Sequence, residues 1–245
     1  MKLTRSALAL TVGALAPALL LATPALAAGP SAAAPATAPS KVAALTAGES
    51  PYDTMSDAEL RAEVTRILAA NPGKGVTGAA HEALAGTTED VRTFLKTGLA
   101  KAQDDDNKVA ILRILFTKPG KGVTREANKA LDGTPADRAA FLATGLAKAQ
   151  DDDNKVAILR ILFTKPGKGV TREANKALDG TPADRAAFLA TGLRLAQAED
   201  DRVAVATILA RPGISAALYA ECQRVLDDGT PEVLRHFITV GQYQF

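Results

Sequence analysis

Residues 97–146 read TGLAKAQDDDNKVAILRILFTKPGKGVTREANKALDGTPADRAAFLATGL, and the same fifty residues occur again, unchanged, as residues 144–193. The two copies are offset by 47 residues, and weaker copies of the pattern lie on both sides at the same spacing. Repeats with a period of roughly 20–50 residues indicate stacked supersecondary units. We therefore predict a solenoid-like array of about four units, at residues 57–103, 104–150, 151–197 and 198–245. Phe141 and Phe188 are expected to be buried anchors between neighbouring units.

The first helix of a unit can be predicted from residues 104–150. It runs from Asp104 to about Lys118, with three aspartates at its start, where acidic side chains complement the helix dipole. Residues 109–116 are apolar at every position except Arg113. A helix that is apolar on nearly all sides is normally buried, so we expect this segment to form a middle layer.

Two shorter helices complete each predicted unit. Thr124 is expected to cap the second helix, and Gly133 to end it in the left-handed conformation. Thr134 and Asp137 predict a capping box at the start of the third helix. Gly145 either ends that helix or lets a neighbouring element approach closely. The same alternative stays open for two equivalent glycines, Gly98 and Gly192.

Composition agrees with an all-α fold. Hydrophobic residues make up 47% of the 245 residues, charged residues 23% and aromatic residues 4%. This is too apolar for a wholly disordered chain, and scarce aromatic residues favour helices over a β-sandwich. A single cysteine excludes a disulfide scaffold and any cysteine-based zinc site.

The amino-terminal segment predicts secretion. Lys2 and Arg5 precede an apolar run at residues 8–22, and Ala25-Leu26-Ala27 supplies small residues for cleavage. We predict a signal peptide at residues 1–27 and a disordered linker, rich in Ala, Pro and Ser, at residues 28–50. The chain after residue 27 carries equal numbers of basic and acidic residues, so we expect no nucleic-acid binding. No later stretch is apolar for long enough to span a bilayer, so we also expect no membrane association once the signal peptide is removed.

The repeat resembles a known family. Ala130-Leu131-Asp132-Gly133-Thr134-Pro135, followed by Phe141-Leu142 and Gly145, is similar to the ALF repeat, a short Ala-Leu/Phe unit of secreted proteins from high-GC Gram-positive bacteria. The resemblance covers roughly residues 57–245. It implies an ALF-type helical repeat domain at residues 51–245, and it implies no established activity, catalytic residue or cofactor.

Unique residues are the only candidates for a single active site, because any site inside the duplicated stretch exists twice. The nucleophile and base candidates are His81, His236, Cys222 and Ser215, and the remaining unique side chains are Tyr52, Tyr219 and Tyr243. His81 and His236 lie in the first and last predicted units, too far apart for a nucleophile and its base. Cys222 is expected to be a partly buried small residue, with an intermolecular disulfide as the alternative.

Two further motifs resemble ligand sites. Lys74, Lys121 and Lys168 each lie in a Gly-rich turn before a helix, a geometry that can hold an anion or simply connect two helices. Asp104-Asp105-Asp106 suggests calcium, but an EF-hand would need Gly and Glu where Val109 and Leu115 stand. We therefore predict no catalytic, cofactor-binding or metal-ligating residue and no cofactor.

The predicted function follows from these points. We expect a secreted, monomeric, non-catalytic repeat protein that acts as a binding or scaffold module for an unidentified protein or cell-envelope component. The alternatives are a secreted enzyme or toxin-associated factor, which would need His81, His236 or Cys222 to meet in a pocket, and a purely structural spacer.

Overall fold

The computed structural model describes residues 50–245. The predicted signal peptide and all of the predicted linker except its last residue lie outside these residues. The described chain divides into two compact units, up to Gln103 and from Asp104 to Phe245. Within residues 50–245 no helix has the length and apolar character needed to cross a membrane.

Twelve α-helices account for most of the described residues, which contain no strand, so the all-α prediction is confirmed. The first unit contains α1 Asp57–Ala69, α2 Lys74–Ala85 and α3 Thr88–Thr93, after a short 3-10 turn at Pro51–Asp53. From α4 onward the helices are α4 Leu99–Phe116, α5 Lys121–Asp132, α6 Pro135–Ala140, α7 Leu146–Phe163, α8 Lys168–Asp179, α9 Pro182–Ala187, α10 Leu193–Leu209, α11 Ala216–Asp228 and α12 Pro231–Thr239. A second 3-10 turn, Gly241–Tyr243, follows α12.

The third helix of a repeat continues into the first helix of the next. A π-helical turn at Phe141–Gly145 joins α6 to α7, and equivalent turns at Phe94–Gly98 and Phe188–Gly192 join the other pairs. A Cβ placed on Gly145 would lie 3.2 Å from Cδ2 of Phe141, one turn earlier in the same helix. The glycine therefore neither ends the helix nor admits another element, but makes room for the phenylalanine ring of its own π-helical turn.

The predicted start of the first helix is wrong. α4 begins at Leu99 and α7 at Leu146, so Asp104 and its counterpart Asp151 lie inside their helices. The helix dipole acts mainly within the first turn, so it does not explain the aspartates at these positions. Each instead has a specific cationic partner, described below.

The predicted N-cap of the second helix is wrong, and its C-cap is Gly133 as predicted but without the predicted left-handed conformation. Gly120 is the N-cap of α5, and Thr124 lies inside the helix, where its hydroxyl donates to the Gly120 carbonyl at 2.9 Å. Gly133 has φ −86° and ψ −160°, an extended conformation, because the chain leaves α5 directly into the next capping box. That box is confirmed: the Thr134 N–H donates to Asp137 Oδ2 at 2.8 Å, and the Asp137 N–H donates to Thr134 Oγ1 at 3.3 Å.

Each repeat has its own hydrophobic core. In the second repeat Phe141 packs with Ile111 of α4, with Val123 and Ala127 of α5, and with Ala149 of α7. Three equivalent clusters surround Phe94, Phe188 and Phe237. The phenylalanines are buried as predicted, but they are central residues of single repeats and not anchors between units, because the buried residues packed with each ring belong to the same repeat.

Candidate interaction surface

One face of α4 exposes large apolar side chains to solvent. Val109, Leu112 and Phe116 follow the i, i+3, i+7 spacing of a single helix face and are 45%, 54% and 89% exposed. Ile111, on the opposite face, is fully buried. The prediction that residues 109–116 are buried on most sides is therefore wrong, because only one side of α4 is covered.

The duplicated helix α7 carries the same face. Val156, Leu159 and Phe163 have nearly identical exposure, and a shallow open hollow of about 370 Å³ lies beside them. We call each set of three residues an apolar stripe. The first and last repeats lack it: the equivalent positions hold Ala62, Thr65 and Ala69 in one and Val203, Ala206 and Ala210 in the other.

Cations flank each stripe. Arg113 lies on the stripe helix, Lys118 lies in the turn that follows Phe116, and Lys121 is the first residue of α5; all three are exposed. Among the described residues none of them forms an ion pair; the closest pairs along the chain are those of Lys108 and Arg125. Their counterparts beside the second stripe, Arg160, Lys165 and Lys168, are likewise exposed and without an ion pair in residues 50–245.

The first aspartate of each triplet forms a buried ion pair. Nε and Nη2 of Arg138 donate to the two carboxylate oxygens of Asp104 at 2.6 and 2.9 Å. Nη1 donates to the carbonyls of Leu131 and Gly133, at the carboxyl end of α5. Arg138 thus ties α4 to α5, and its hydrogen bonds, with a smaller contribution from Lys108, lower the pKa of Asp104 to about 2 against the burial that opposes them.

The third aspartate of a triplet caps a helix of the preceding repeat. Asp153 Oδ1 accepts from the Gly122 N–H at 2.7 Å, and Oδ2 accepts from the Val123 N–H at 3.0 Å. A Cβ on Gly120 would clash with this carboxylate. Asp200 binds the start of α8 in the same way, through Gly169 and Val170. The Gly-rich turns around Lys121 and Lys168 therefore hold an anion, as their geometry suggested, but that anion is a side chain of the protein itself.

The end repeats reach the same carbonyls with an arginine from a different helix. Arg61, on α1, donates to the carbonyls of Leu84 and Gly86 at 2.6 and 3.1 Å. Arg202, on α10, donates to the Gly229 carbonyl at 3.0 Å. Where the inner repeats place the buried arginines on the third helix, the end repeats have Val91 and Leu234, both fully buried. The repeat thus accepts an apolar side chain in place of the buried arginine when an arginine on another helix donates to the same carbonyls.

The four-fold recurrence of this arrangement agrees with a comparison of the sequence with known families. The profile of the ALF family, described as short repeats of unknown function, matches residues 61–102, 108–149, 155–196 and 202–245. The chain belongs to the ALF repeat family. A search of curated proteins finds no match. Membership therefore establishes an all-α array of tandem ALF repeats and leaves their function to be argued from the surface.

Within the described residues, the two unique side chains Cys222 and His236 do not line the same groove of the ALF array. Cys222 is completely buried in the core of the last repeat, where burial raises the pKa of its thiol. His236 is exposed and lines an open groove of about 320 Å³ with Glu221 and Arg224, and Cys222 is not part of that lining. His81 is exposed on α2, in the other compact unit.

Ser215 also has a structural role. Its hydroxyl caps α11 by accepting from the Leu218 N–H at 3.1 Å. Sequence reasoning missed the stripes, although their spacing was visible. Positions 109, 112 and 116 lie on one side of the helix and 111 and 115 on the other, but both sides are apolar, and only packing shows which side is covered.

Proposed function

We propose that this is a secreted, non-catalytic ALF repeat protein of a high-GC Gram-positive bacterium that binds a protein or cell-envelope component as a monomer. The observation that carries the proposal is the pair of exposed apolar stripes on α4 and α7. Apolar side chains grouped on a surface mark interaction sites, and here an identical group occurs on both inner repeats. The repeats without a stripe show that an ALF core forms without it.

The rival proposal of an enzyme finds less support. A cysteine nucleophile must ionise, and burial of Cys222 raises the pKa of its thiol and so opposes ionisation. The buried, perturbed carboxylates Asp104 and Asp151 are each engaged by an arginine. Every ionisable group of this kind in the inner repeats thus has a structural partner.

Secretion is tested by sequencing the amino terminus of the protein from culture supernatant. We expect a chain that starts at Ala28 or within a residue or two of it, since the small residues Ala25 and Ala27 precede that bond. Intact protein that begins at Met1 and stays in the membrane fraction would contradict the proposal.

Binding is tested by retention of cell-envelope fractions on the immobilised protein. The variant Phe116→Ser/Phe163→Ser should lose the retained component, because it removes the most exposed side chain of each stripe. The matched control is Tyr243→Ser/Phe245→Ser, which removes two other exposed aromatic residues. Equal retention by all three proteins would show that binding does not involve the stripes. No retention by any of them would favour the alternative of a purely structural spacer.

A further inference from the structure

We infer that the two apolar stripes, with the cations beside them, bind an anionic lipid surface. This inference rests on the proposed function and names the component that is bound. Each site consists of Phe116, Leu112 and Lys118 with their neighbours, or of the counterparts Phe163, Leu159 and Lys165.

The shape of the stripe favours a soft partner. Phe116 and Phe163 are each 89% exposed, so both rings project into solvent and are not enclosed. The hollow beside Phe163 is lined by residues of α7 alone and has no opposing wall. A projecting aromatic ring beside aliphatic side chains on one helix face is the arrangement by which peripheral helices enter the boundary between headgroups and acyl chains.

The charges favour an anionic surface. Arg113 and Lys118 bring two positive charges to one stripe, and neither forms an ion pair among residues 50–245. A basic residue close to an anionic bilayer adds to its attraction. A second copy of the chain is a poorer partner, because stripe packed on stripe would bring lysine turns of like charge together.

The backbone conformation of Lys118 and Lys165 supports a role for their positive charges. Lys118 and Lys165 have φ of 54° and 53°, in the left-handed region that is disfavoured for side chains other than glycine and asparagine. The first repeat places Asn71 at the equivalent position, with φ 50°. The inner repeats therefore use a less favourable residue in the same turn, and that residue puts a cation two positions after the exposed phenylalanine.

The exposed stripes change one expectation. The sequence predicts no membrane association, because no stretch after residue 27 is apolar for long enough to span a bilayer, and it separately assigns residues 109–116 to the core. Because that helix face is exposed, it is available for peripheral binding to a lipid surface. Phenylalanine, lysine and left-handed turn occur together only in the two inner repeats of the described chain.

Vesicle co-sedimentation tests the inference on a chain that begins at Ala28, which keeps every described residue and omits the apolar run at residues 8–22. Vesicles of phosphatidylglycerol and phosphatidylcholine in equal parts should bind this protein, and vesicles of phosphatidylcholine alone should bind it far less. Phe116→Ser/Phe163→Ser should weaken binding by at least about tenfold, since each change removes a large apolar contact. Lys118→Gln/Lys165→Gln should weaken it by about fivefold for each charge removed, and added salt should have a similar effect.

Matched variants separate the stripe from general effects. Tyr243→Ser/Phe245→Ser removes two exposed aromatic residues elsewhere, and Lys129→Gln/Lys176→Gln removes two exposed cations elsewhere. Both should bind like the parent protein. Circular dichroism of each variant verifies the fold, and Leu112→Gln/Leu159→Gln supplies a second test of the stripe should the phenylalanine variant unfold.

Four results would overturn the inference. These are absence of binding to anionic vesicles, binding that the Phe116→Ser/Phe163→Ser variant retains in full, and a dimer in sedimentation velocity that the same variant abolishes. The fourth is capture of an envelope protein or glycan, after detergent extraction of lipid, that depends on Phe116 and Phe163. That last result would leave the proposed binding function intact while removing lipid as its target.

Discussion

Asp153 Oδ1 accepts a 2.7 Å hydrogen bond from the backbone N–H of Gly122, which belongs to the preceding repeat. The second carboxylate oxygen accepts from the neighbouring N–H of Val123. These are N–H groups of the first helical turn, which have no partner within a helix. One side chain of each following repeat therefore completes a helix of the repeat before it, and so couples the stability of the two.

Replacing Asp153 should destabilise the protein through this contact. We expect Asp153→Ala to cost about 0.5–2 kcal/mol of unfolding free energy, the usual range for loss of a helix cap. Asp152→Ala is the control, because Asp152 is exposed and, within residues 50–245, its ion pair is with Lys155 of its own helix. Urea denaturation measures both, and an equal loss in the two variants would show that the inter-repeat cap contributes nothing of its own.

Acid should weaken the buried pairs of Asp104 and Asp151 in a defined interval. Hydrogen bonds from the arginines lower the pKa of both carboxyls from the ordinary 3.8 to about 2. Because the folded-state pKa is depressed, this stabilisation is present in full well above pH 4 and is lost progressively as the pH falls from about 5 to about 1. The stability difference between the parent protein and Asp104→Asn/Asp151→Asn should therefore be largest near pH 7 and clearly smaller at pH 2, where the folded carboxyls are only partly ionised. A difference that persists undiminished at pH 2 would contradict the assignment.

Asp201 should behave in the opposite way. Burial raises the pKa of this carboxyl, and the nearby charge of Asp200 adds to the effect, while Arg235 opposes it. Nε of Arg235 lies 3.0 Å from Oδ2, yet that oxygen accepts no hydrogen bond from the described residues. Folding therefore disfavours the charged form of Asp201 relative to the unfolded chain, so Asp201→Asn should raise the melting temperature at pH 7, whereas Asp104→Asn should lower it. A decrease for both variants would mean that Arg235 outweighs burial.

Two phenylalanines of the same repeat should differ sharply in their contribution to stability. Phe141 is 5% exposed and Phe116 is 89% exposed. Phe141→Ala should cost about 3–5 kcal/mol, because it removes a large core side chain and leaves a cavity. Phe116→Ala should leave the urea midpoint almost unchanged. Comparable losses would show that Phe116 is covered in solution, and the interaction surface would have to be reconsidered.

Deletion of one inner repeat should leave a folded protein. Removing residues 104–150 joins Gln103 to Asp151 and creates no new sequence, because Gln150 precedes Asp151 in the parent chain. In the shortened chain Asp153 is the third residue after Gln103, which is the place that Asp106 has in the parent chain. Since each repeat has its own core, we expect a helical monomer that unfolds cooperatively with a slightly lower melting temperature. An aggregated or unstructured product would show that the repeats do not form interchangeable units.

Local rules were enough to predict much of the repeat. The offset between identical segments establishes a tandem array, and Thr134 with Asp137 predicts a capping box that needs only four consecutive residues. The same rules failed where a distant residue takes part. Gly120 and not Thr124 caps α5, because the anion at that helix start is Asp153, which lies about thirty residues further along the chain.

The apolar segment 109–116 marks the limit of prediction from one sequence. Its residues predict a helix, and both faces of that helix are apolar enough to be buried. Only the packing of α4 against α5 and the π-helical turn decides that Ile111 enters the core while Leu112 and Phe116 remain in solvent. Periodicity reports the direction of side chains around one helix axis. Which of those directions is covered depends on the other helices, and it was there that tertiary structure turned an expected core into a candidate binding surface.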